Sequence, residues 1–386
     1  MQVGAFAGLI TLASLDVPFK YLGWAGVAAY AIVVFAVIFA LYAALPRLES
    51  VKNTRVVKWL FFAFVLAMVV GVMIVYPLAN SGRFGGGSDA DDALWLAANE
   101  LIHGRYPFYP RTYLGNPIAP MPGAVLLSVP FVLLKSLPMQ NVAWLVAFYA
   151  VLRRNISKCL IALTLFVAVV ILSPAVWQNL ATATDRTSNA IYVLIGLWLM
   201  MRFVPDENAP LWKKFASAAF LGIGLSSRSN FLFLMPLLTF ALADSAGWRA
   251  ALKYLAATAA AALLVTIPFW LYDPAGFTPL TTQGGKVTEL ETVLPYARYV
   301  IPAIGMLLGV AFALRRPRAN SARFYWYCAT IQMSMILVMS GLSSVKVGYP
   351  DLYFGHVSYG VFALFFAVMA AAITLGERIG AEPNPL

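Results

Sequence analysis

Long apolar runs dominate this chain, and they restrict its fold more than any other feature. Eleven runs occur, and the mean hydropathy of the whole chain is +0.80. A bilayer core about 30 Å thick requires ~20 apolar residues per helix, so these runs predict an all-α polytopic membrane protein. The runs cover residues 22–45, 56–79, 138–152, 158–177, 189–203, 213–227, 230–246, 251–271, 293–313, 323–343 and 356–375.

The runs predict about 11 transmembrane helices, within a range of 10–13, because several are shorter than a full span. The run 121–137 is a special case. If it crossed the membrane, the basic segment 153–158 would lie on the outer side, against the positive-inside rule. We therefore expect a half-embedded helix on the outer face here. For the first 20 residues, which lack a basic signal-peptide start, we expect a short re-entrant or interfacial helix.

The distribution of charge predicts the orientation. Of the 27 Lys and Arg residues, 17 fall in the segments that this arrangement places inside, whereas acidic residues are more frequent in the outer segments. The segments 80–120 and 272–292 then become two large outer loops of a single integral membrane domain, residues 1–386. The basic residues are scattered between apolar runs, which does not favour a nucleic-acid-binding surface. The chain is expected in a plasma membrane, such as the bacterial inner membrane, with these loops facing the periplasm or the exterior.

Metal and cofactor chemistry is not indicated. The two cysteines, Cys159 and Cys328, lie in separate apolar runs, and the two histidines, His103 and His356, are far apart. Neither pair has the spacing of a structural metal site or of a disulfide framework. We therefore predict no metal and no cofactor.

The first outer loop contains the densest group of polar residues. Ser88 or Asp89 is expected to cap a helix that runs through "ADDALWLAANELIHG", and Gly104 is expected to end it. One side of this helix is apolar, which predicts an amphipathic helix at the outer membrane interface. The apolar side consists of Leu94, Ala97, Ala98, Leu101 and Ile102.

Three aspartates begin this helix: Asp89, Asp91 and Asp92. The helix dipole alone favours acidic residues at this position. Three carboxylates at the edge of an apolar cavity also repel one another and lose solvation, which raises a pKa toward the range where a carboxylate accepts a proton efficiently. We therefore predict that at least one of the three is catalytic.

The loop and a second segment resemble the GT-C membrane glycosyltransferases. The first shows Asp91 with Trp95 four residues later, an "AA" pair, a "YPFY" and the proline-bounded helix "NPIAPMPGAVLLSVPF". The second, "LGIGLSSRSNFLFLMPLL", contains a polar break with a basic residue. The similarity extends over roughly residues 56–275, and the branch that uses polyprenyl-phosphate mannose is the most similar. Two departures are Arg228, where a lysine is common, and a loose match at "TDRTSNAIYVL".

The resemblance implies a GT-C-like bundle that transfers a sugar, such as mannose or another hexose or pentose, from a polyprenyl-phosphate donor. The acceptor would be a lipid or glycan at the outer face, and an aspartate of the first outer loop would act as general base, with inversion. Asp91 fits the motif spacing best, while Asp92 and Asp89 remain alternatives. The partners implied are the lipid-linked donor, a glycolipid or glycan acceptor and membrane lipids.

Cations on the outer face are candidates to bind the donor phosphate. Arg228 ranks first, because "SSRSN" interrupts two apolar helices and should lie at the outer membrane level, and Arg298 ranks second. The further candidates are Arg111, Arg186, Lys286, Arg105 and Lys346. Candidate acceptor or sugar contacts are Glu100, His103, Tyr113, Asn116 and His356.

Two other function classes fit the same composition. A transporter or lipid flippase is expected to carry charged residues near the centres of its spans and paired broken helices, and only the break at Arg228 has this character. A non-catalytic scaffold would use the acidic loop for solvation alone. The substitution Asp91→Asn distinguishes these classes, because only an enzyme depends on that carboxylate as a base.

Overall fold

The computed structural model of the chain is helical throughout its described part, apart from one isolated bridge between Arg111 and Pro117. It describes residues 3–50, 53–81, 83, 88–352 and 357–379, without the side chains of residues 283, 286, 357 and 358. The α-helices are α1 (Val3–Leu12), α2 (Asp16–Glu49), α3 (Thr54–Asn80), α4 (Ala90–Ile102), α5 (Pro122–Leu133), α6 (Met139–Asn155), α7 (Cys159–Leu172), α8 (Pro174–Ala181), α9 (Arg186–Phe203), α10 (Leu211–Leu225), α11 (Met235–Ala246), α12 (Trp248–Tyr272), α13 (Thr278–Thr288), α14 (Ala297–Ala313), α15 (Ala322–Val347) and α16 (Val361–Arg378). Short 3-10 helices cover Ser229–Leu234, Glu289–Thr292 and Val357–Gly360.

Six helical segments in the described part are long and apolar enough to cross a membrane, which makes the chain a multi-pass membrane protein. A seventh span results if α7 and α8, which meet at 74°, form one broken span. The six are α2, α3, α12, α15, α16 and the continuous segment Ser229–Ala246, which joins a 3-10 turn to α11.

The predicted count of about 11 spans is not confirmed. The other four runs do form helices, but α6 and α14 have 17 residues and α10 has 15. The fourth, α9, has 18 residues and begins with the polar sequence "RTSN". Helices of 15–17 residues are short for a bilayer core about 30 Å thick, and the polar start of α9 leaves it a shorter apolar stretch than its length implies. Similarly, α5 has 12 residues, the length of a helix that does not cross.

The interior of the bundle is built around α9 and α16, whose side chains are buried along almost their whole length. Beyond the polar first turn of α9, both carry apolar side chains on most sides, as expected of helices surrounded by other helices. By contrast, α2, α3 and α12 bury little of their surface and present apolar side chains outward, which suits contact with lipid tails. The N-terminal α1 packs against α2 and α16 and buries Ala7 and Ile10 completely. It is therefore a packed part of the bundle.

The two predicted outer loops lie against each other. Tyr106 Oη donates hydrogen bonds to the carbonyls of Phe269 and Asp273, at 3.0 and 3.2 Å, and Thr278 Oγ1 donates to the carbonyl of Ile118 at 2.7 Å. Burial, with the nearby Asp273 carboxylate, raises the pKa of Tyr106 to about 12. Both loops therefore occupy one face of the bundle.

Ion pairs agree with the predicted sidedness. Arg316 and Asp244, 3.7 Å apart, both belong to predicted inner segments, whereas Lys346 and Glu289, 3.9 Å apart, both belong to outer ones. Close contact between segments assigned to the same side is required of any consistent topology.

This topology predicts the result of reporter fusions. Fusions after residues 50, 156, 208, 248 and 318 should report the cytoplasm, because basic residues concentrate in those segments. Fusions within 85–118 or 275–290 should report the exterior. Alkaline phosphatase and green fluorescent protein, fused at the same sites, give opposite signals and control for expression. A cytoplasmic signal from the 85–118 segment would contradict the orientation and every proposal below that places chemistry outside.

Candidate functional site

The amphipathic helix of the first outer loop forms as the sequence predicts. It begins at Ala90, whose backbone N–H donates to Ser88 Oγ at 3.3 Å, and it is followed by Gly104 in the left-handed region with φ of 69°. A glycine accepts that conformation without steric cost, which explains the stop. Leu94, Ala97 and Ala98 are fully buried against α5. The apolar side therefore fixes the direction in which the acidic start of α4 points.

Asp91 is the most enclosed of the three aspartates, with 5% of its surface exposed. Its Oδ2 atom accepts hydrogen bonds from Tyr76 Oη at 2.8 Å and Asn80 Nδ2 at 2.9 Å. Both donors lie on the last turns of α3, four residues apart, so they project from the same side of that helix. The structure records no hydrogen bond to Oδ1 from the described residues. One carboxylate oxygen is thus fixed in place while the other remains open to a proton donor.

Asp89 and Asp92 have a different arrangement, because both bind the segment 111–117. Asp89 Oδ2 accepts hydrogen bonds from Thr112 Oγ1 at 2.7 Å and Asn116 Nδ2 at 2.8 Å. Asp92 Oδ2 accepts from the backbone N–H of Tyr113 at 2.9 Å. Asp89 occupies the N-cap position of α4 but makes no side-chain capping bond, so the expected capping is made by Ser88 instead. The two carboxylates position the segment that covers the helix start.

A cavity of about 720 Å³ opens beside Asp91. Its wall combines carboxylates, amides and aromatic rings with one cation, Lys135, and this combination suits a polar ligand with several hydroxyl groups. None of the ion pairs among the described side chains involves Lys135. The cavity is lined by Tyr76, Asn80, Asp91, Asp92, Trp95, Asn99, Tyr113, Val132, Lys135, Leu137 and Pro138.

The predicted contact residues of α4 and its loop divide into two groups. Tyr113 lines the cavity, and partial burial together with the three nearby aspartates raises the pKa of its hydroxyl. Asn116 donates a hydrogen bond to Asp89 and does not line the cavity. Glu100 forms a two-pronged ion pair with Arg105, which lowers the pKa of the Glu100 carboxyl. His103 Nδ1 is 2.7 Å from the carbonyl of Asn99, as expected of a group at a helix end.

Arg228 forms a buried ion pair, and it does not line the Asp91 cavity. Its Nη2 atom lies 2.9 Å from Asp185 Oδ1, with 14% and 4% of the two side chains exposed. Asp185 Oδ2 also accepts from Asn189 Nδ2 at 3.1 Å, while Arg228 Nε is buried without a hydrogen-bond partner. Because Asp185 already neutralises the guanidinium, the pair presents little net charge to a phosphate.

The surroundings of Arg228 include both membrane helices and the two outer loops, because Ala119 and Thr282 line the same cavity as Arg228. Gly222, on the preceding helix, packs directly against Thr258 in the middle of α12. Asn230 exchanges hydrogen bonds of 2.6 and 3.0 Å with Gln332, near the middle of α15. A separate cavity of about 220 Å³ begins at Arg228 and continues between apolar side chains. Arg228 therefore lies between the membrane helices and the outer loops.

The α5 helix separates the two polar regions. The backbone N–H of Gly123, at its start, contacts the carbonyl of Ser226, whereas Val132 and Lys135, at its end, line the Asp91 cavity. A helix of 12 residues is about 18 Å long. Ser226, two residues before Arg228, therefore lies at the opposite end of α5 from the cavity.

Among the other predicted phosphate ligands, Arg298, Arg111 and Arg186 do not line the Asp91 cavity. Arg298 forms an exposed ion pair with Glu291, at 2.8 Å, and Arg111 donates to the carbonyl of Gly115 at 3.2 Å. The Arg186 guanidinium lies 4.3 Å from the ring centre of Tyr359. The Lys286 side chain and His356 lie outside the described residues.

Sequence reasoning did not identify Tyr76, Asn80 and Lys135. A partial signal for the first two was present, because a tyrosine and an asparagine four residues apart interrupt the end of an apolar run. For Lys135 the sequence gives no signal beyond the charge of the residue. Its backbone has φ of 51° and ends α5, with Ser136 N–H donating to the carbonyl of Phe131 at 2.8 Å. This turn places the lysine in the wall of the cavity that also contains Asp91 and Asp92, which are 44 and 43 positions away in sequence.

Comparison of the chain with family models, curated proteins and solved structures gives no match.

Proposed function

We propose that the protein is a GT-C-type glycosyltransferase whose general base is Asp91. The observation that carries this proposal is the environment of that carboxylate. Asp91 is nearly buried, lines a cavity rich in hydrogen-bonding groups, and has one oxygen held by Tyr76 and Asn80. A general base must be fixed within reach of the proton it removes, and these contacts provide the fixation.

The proposed reaction transfers one glycosyl group. Asp91 Oδ1 removes the proton from an acceptor hydroxyl as the hydroxyl oxygen attacks the anomeric carbon of the donor. The bond between that carbon and the phosphate oxygen breaks, its electron pair leaves with the polyprenyl phosphate, and the anomeric configuration inverts. The departing phosphate requires a cation. Lys135 is the cation that lines the same cavity as Asp91, so we assign this role to Lys135 rather than to the neutralised Arg228.

A lipid-linked donor follows from where the cavity lies. The donors that hold Asp91 end a membrane-spanning helix, and the positive-inside rule assigns this end to the outer side. Nucleotide sugars are cytoplasmic, so an activated sugar reaches this side attached to a lipid. The acceptor is a glycolipid or glycan on the same side. We accordingly propose a plasma-membrane enzyme with its site toward the periplasm or the exterior.

The direct test is transfer by the purified protein in lipid nanodiscs. Labelled sugars on polyprenyl phosphate, with mannose first, are supplied together with a glycolipid extract, and the products are identified by mass spectrometry. Matched reactions receive the corresponding nucleotide sugar. We expect transfer from the lipid-linked donors only. In a parallel assay the protein is reconstituted in proteoliposomes. Movement of the lipid-linked sugar across their bilayer, without any glycosidic product, would instead indicate the flippase alternative.

Removal of the Lys135 charge should slow transfer. Lys135→Asn should lower kcat/KM about 10-fold, a moderate effect because water screens an exposed cation. Asparagine is chosen because it tolerates the left-handed backbone conformation of this position. Lys135→Arg should keep most of the activity. Steady-state assays of both variants, with Lys58→Gln as a control at the opposite end of α3, measure the effect. Equal activity in Lys135→Asn and the parent protein would exclude this lysine from the reaction.

A further inference from the structure

A second cleft lies at the other end of the bundle, away from the Asp91 cavity. It has a volume of about 260 Å³ and is formed by the last turns of α2 and α16, the first half of α7 and the start of α1. The lining residues are Val3, Phe6, Ile38, Leu41, Tyr42, Leu45, Leu48, Ile161, Thr164, Leu165, Ala168, Ala371, Thr374, Leu375 and Arg378.

The cleft is an apolar channel along three helix faces. On α2, α7 and α16 the lining residues recur at intervals of three and four, so each helix turns one continuous stripe toward the cleft. Along α2 the stripe runs from Ile38 to Leu48, about 15 Å of helix. Small side chains such as Ala168 and Ala371 form part of its wall and leave it unfilled. An apolar cleft of about 260 Å³ beside about 15 Å of helix has room for an alkyl chain.

One charged group lies at the end of this channel. Arg378, in the last turn of α16, is the charged residue of the lining, and its guanidinium lies 5.4 Å from the ring centre of Tyr42. Arg378 is the last lining residue of α16, and this contact holds the cation against the α2 wall of the cleft. None of the ion pairs among the described side chains involves Arg378. An anionic group at this position would meet an arginine with unused donors.

The helix ends around this mouth carry further cations. Arg47 belongs to the last turn of α2, and Lys158 directly precedes α7. Glu49 and Glu377 are the acidic residues of the same helix ends, so the cations are in excess. The charge distribution assigns these ends to the inner side, where the leaflet is rich in anionic lipids. Basic pockets between membrane helices on that side recognise such headgroups.

We infer that this cleft binds an anionic phospholipid of the inner leaflet, with one acyl chain along the α2 stripe and the phosphate at Arg378. A neutral lipid would fill the channel without using the cation, and a free phosphate would leave the channel empty. The inference does not depend on the proposed transferase activity, since the Asp91 cavity is formed by other helices at the opposite face.

The test is lipid-dependent thermal stability. The protein is placed in nanodiscs of phosphatidylcholine or of an equimolar mixture with phosphatidylglycerol, and Tm is measured in each. A ligand of the folded state should raise Tm in the mixture by about 2–4 °C. Arg378→Gln should remove that difference. Arg315→Gln is the matched control, because Arg315 also lies 5.4 Å from an aromatic ring, that of Phe312, at a predicted inner helix end outside the cleft.

A second variant tests the channel itself. The larger side chain of Ala168→Leu fills part of the cleft. This variant should reduce the Tm difference between the two nanodiscs even though Arg378 is intact. Because each variant is compared with itself in two lipids, any general loss of stability cancels. Soluble glycerol phosphate, added to phosphatidylcholine nanodiscs, should leave Tm unchanged. The same Tm difference in Arg378→Gln, Ala168→Leu and the parent protein, or an equal response to glycerol phosphate, would overturn the inference.

Discussion

Asp91→Asn should lower the rate of sugar transfer by ~10²–10⁴, the usual contribution of a general base. The substitution preserves size, and an amide oxygen can still accept the hydrogen bonds of Tyr76 and Asn80. The substitution removes the ability of the Oδ1 position to accept a proton from the acceptor hydroxyl. The reduction should appear in kcat, since binding groups of the cavity remain. Turnover by purified protein in nanodiscs measures it.

Its two neighbours provide matched controls within the same turn. Asp89→Asn should change the rate little, because an amide oxygen can accept from Thr112 and Asn116 as the carboxylate does. Asp92→Asn should have an intermediate effect, since it keeps the contact to Tyr113 but removes a charge from the cavity wall. Full activity in Asp91→Asn, with wild-type expression and folding, would exclude Asp91 as the base. The transporter alternative would then be preferred.

Arg228→Ala should reduce the free energy of unfolding by about 3–5 kcal/mol, because it leaves the buried Asp185 without its counter-ion. The loss is expected even if the residue never contacts substrate. Unfolding in mixed micelles, followed by circular dichroism as the denaturing detergent increases, measures the change. A double variant, Arg228→Met with Asp185→Asn, should recover part of the stability because neither charge is then stranded.

The chain provides a matched arginine for this comparison. Arg298 forms an ion pair with Glu291 of similar length, but 52% of the arginine side chain is exposed. Arg298→Ala should therefore change the free energy of unfolding little, because water screens an exposed ion pair. If Arg228→Ala instead leaves stability unchanged and weakens use of the lipid-linked donor, the arginine binds the phosphate as the sequence first suggests. That outcome would refute the structural role.

Much of the helical framework was predictable, because lipid-facing and buried helices both need apolar runs. Each of the eleven runs contains a helix, and the amphipathic α4 forms where its caps and apolar stripe indicate. Run length alone could not separate crossing helices from short ones. α9 begins with "RTSN" yet is buried in the bundle, since Asn141 and Asp185 hydrogen-bond to Ser188 and Asn189.

The candidate site was predictable only where it is local in sequence. The acidic start of α4 is such a feature, and all three aspartates engage in specific contacts. Their partners come from α3 and from segment 111–117, and no local pattern specifies such pairings. Arg228 illustrates the same limit. A polar break between apolar helices reads as a surface turn, and the ion pair with Asp185, 43 positions away, is a tertiary feature.

The pairing of Arg228 with Asp185 also determines how the bundle responds to an electric field. A single charge moved across a membrane potential of 100 mV exchanges about 2.3 kcal/mol with the field. Opposite charges held 2.9 Å apart experience opposite forces, so a displacement of the pair as a unit involves no net electrical work. A shift of this pair along the membrane normal is therefore not driven by the membrane potential, whereas a shift of either charge alone would be.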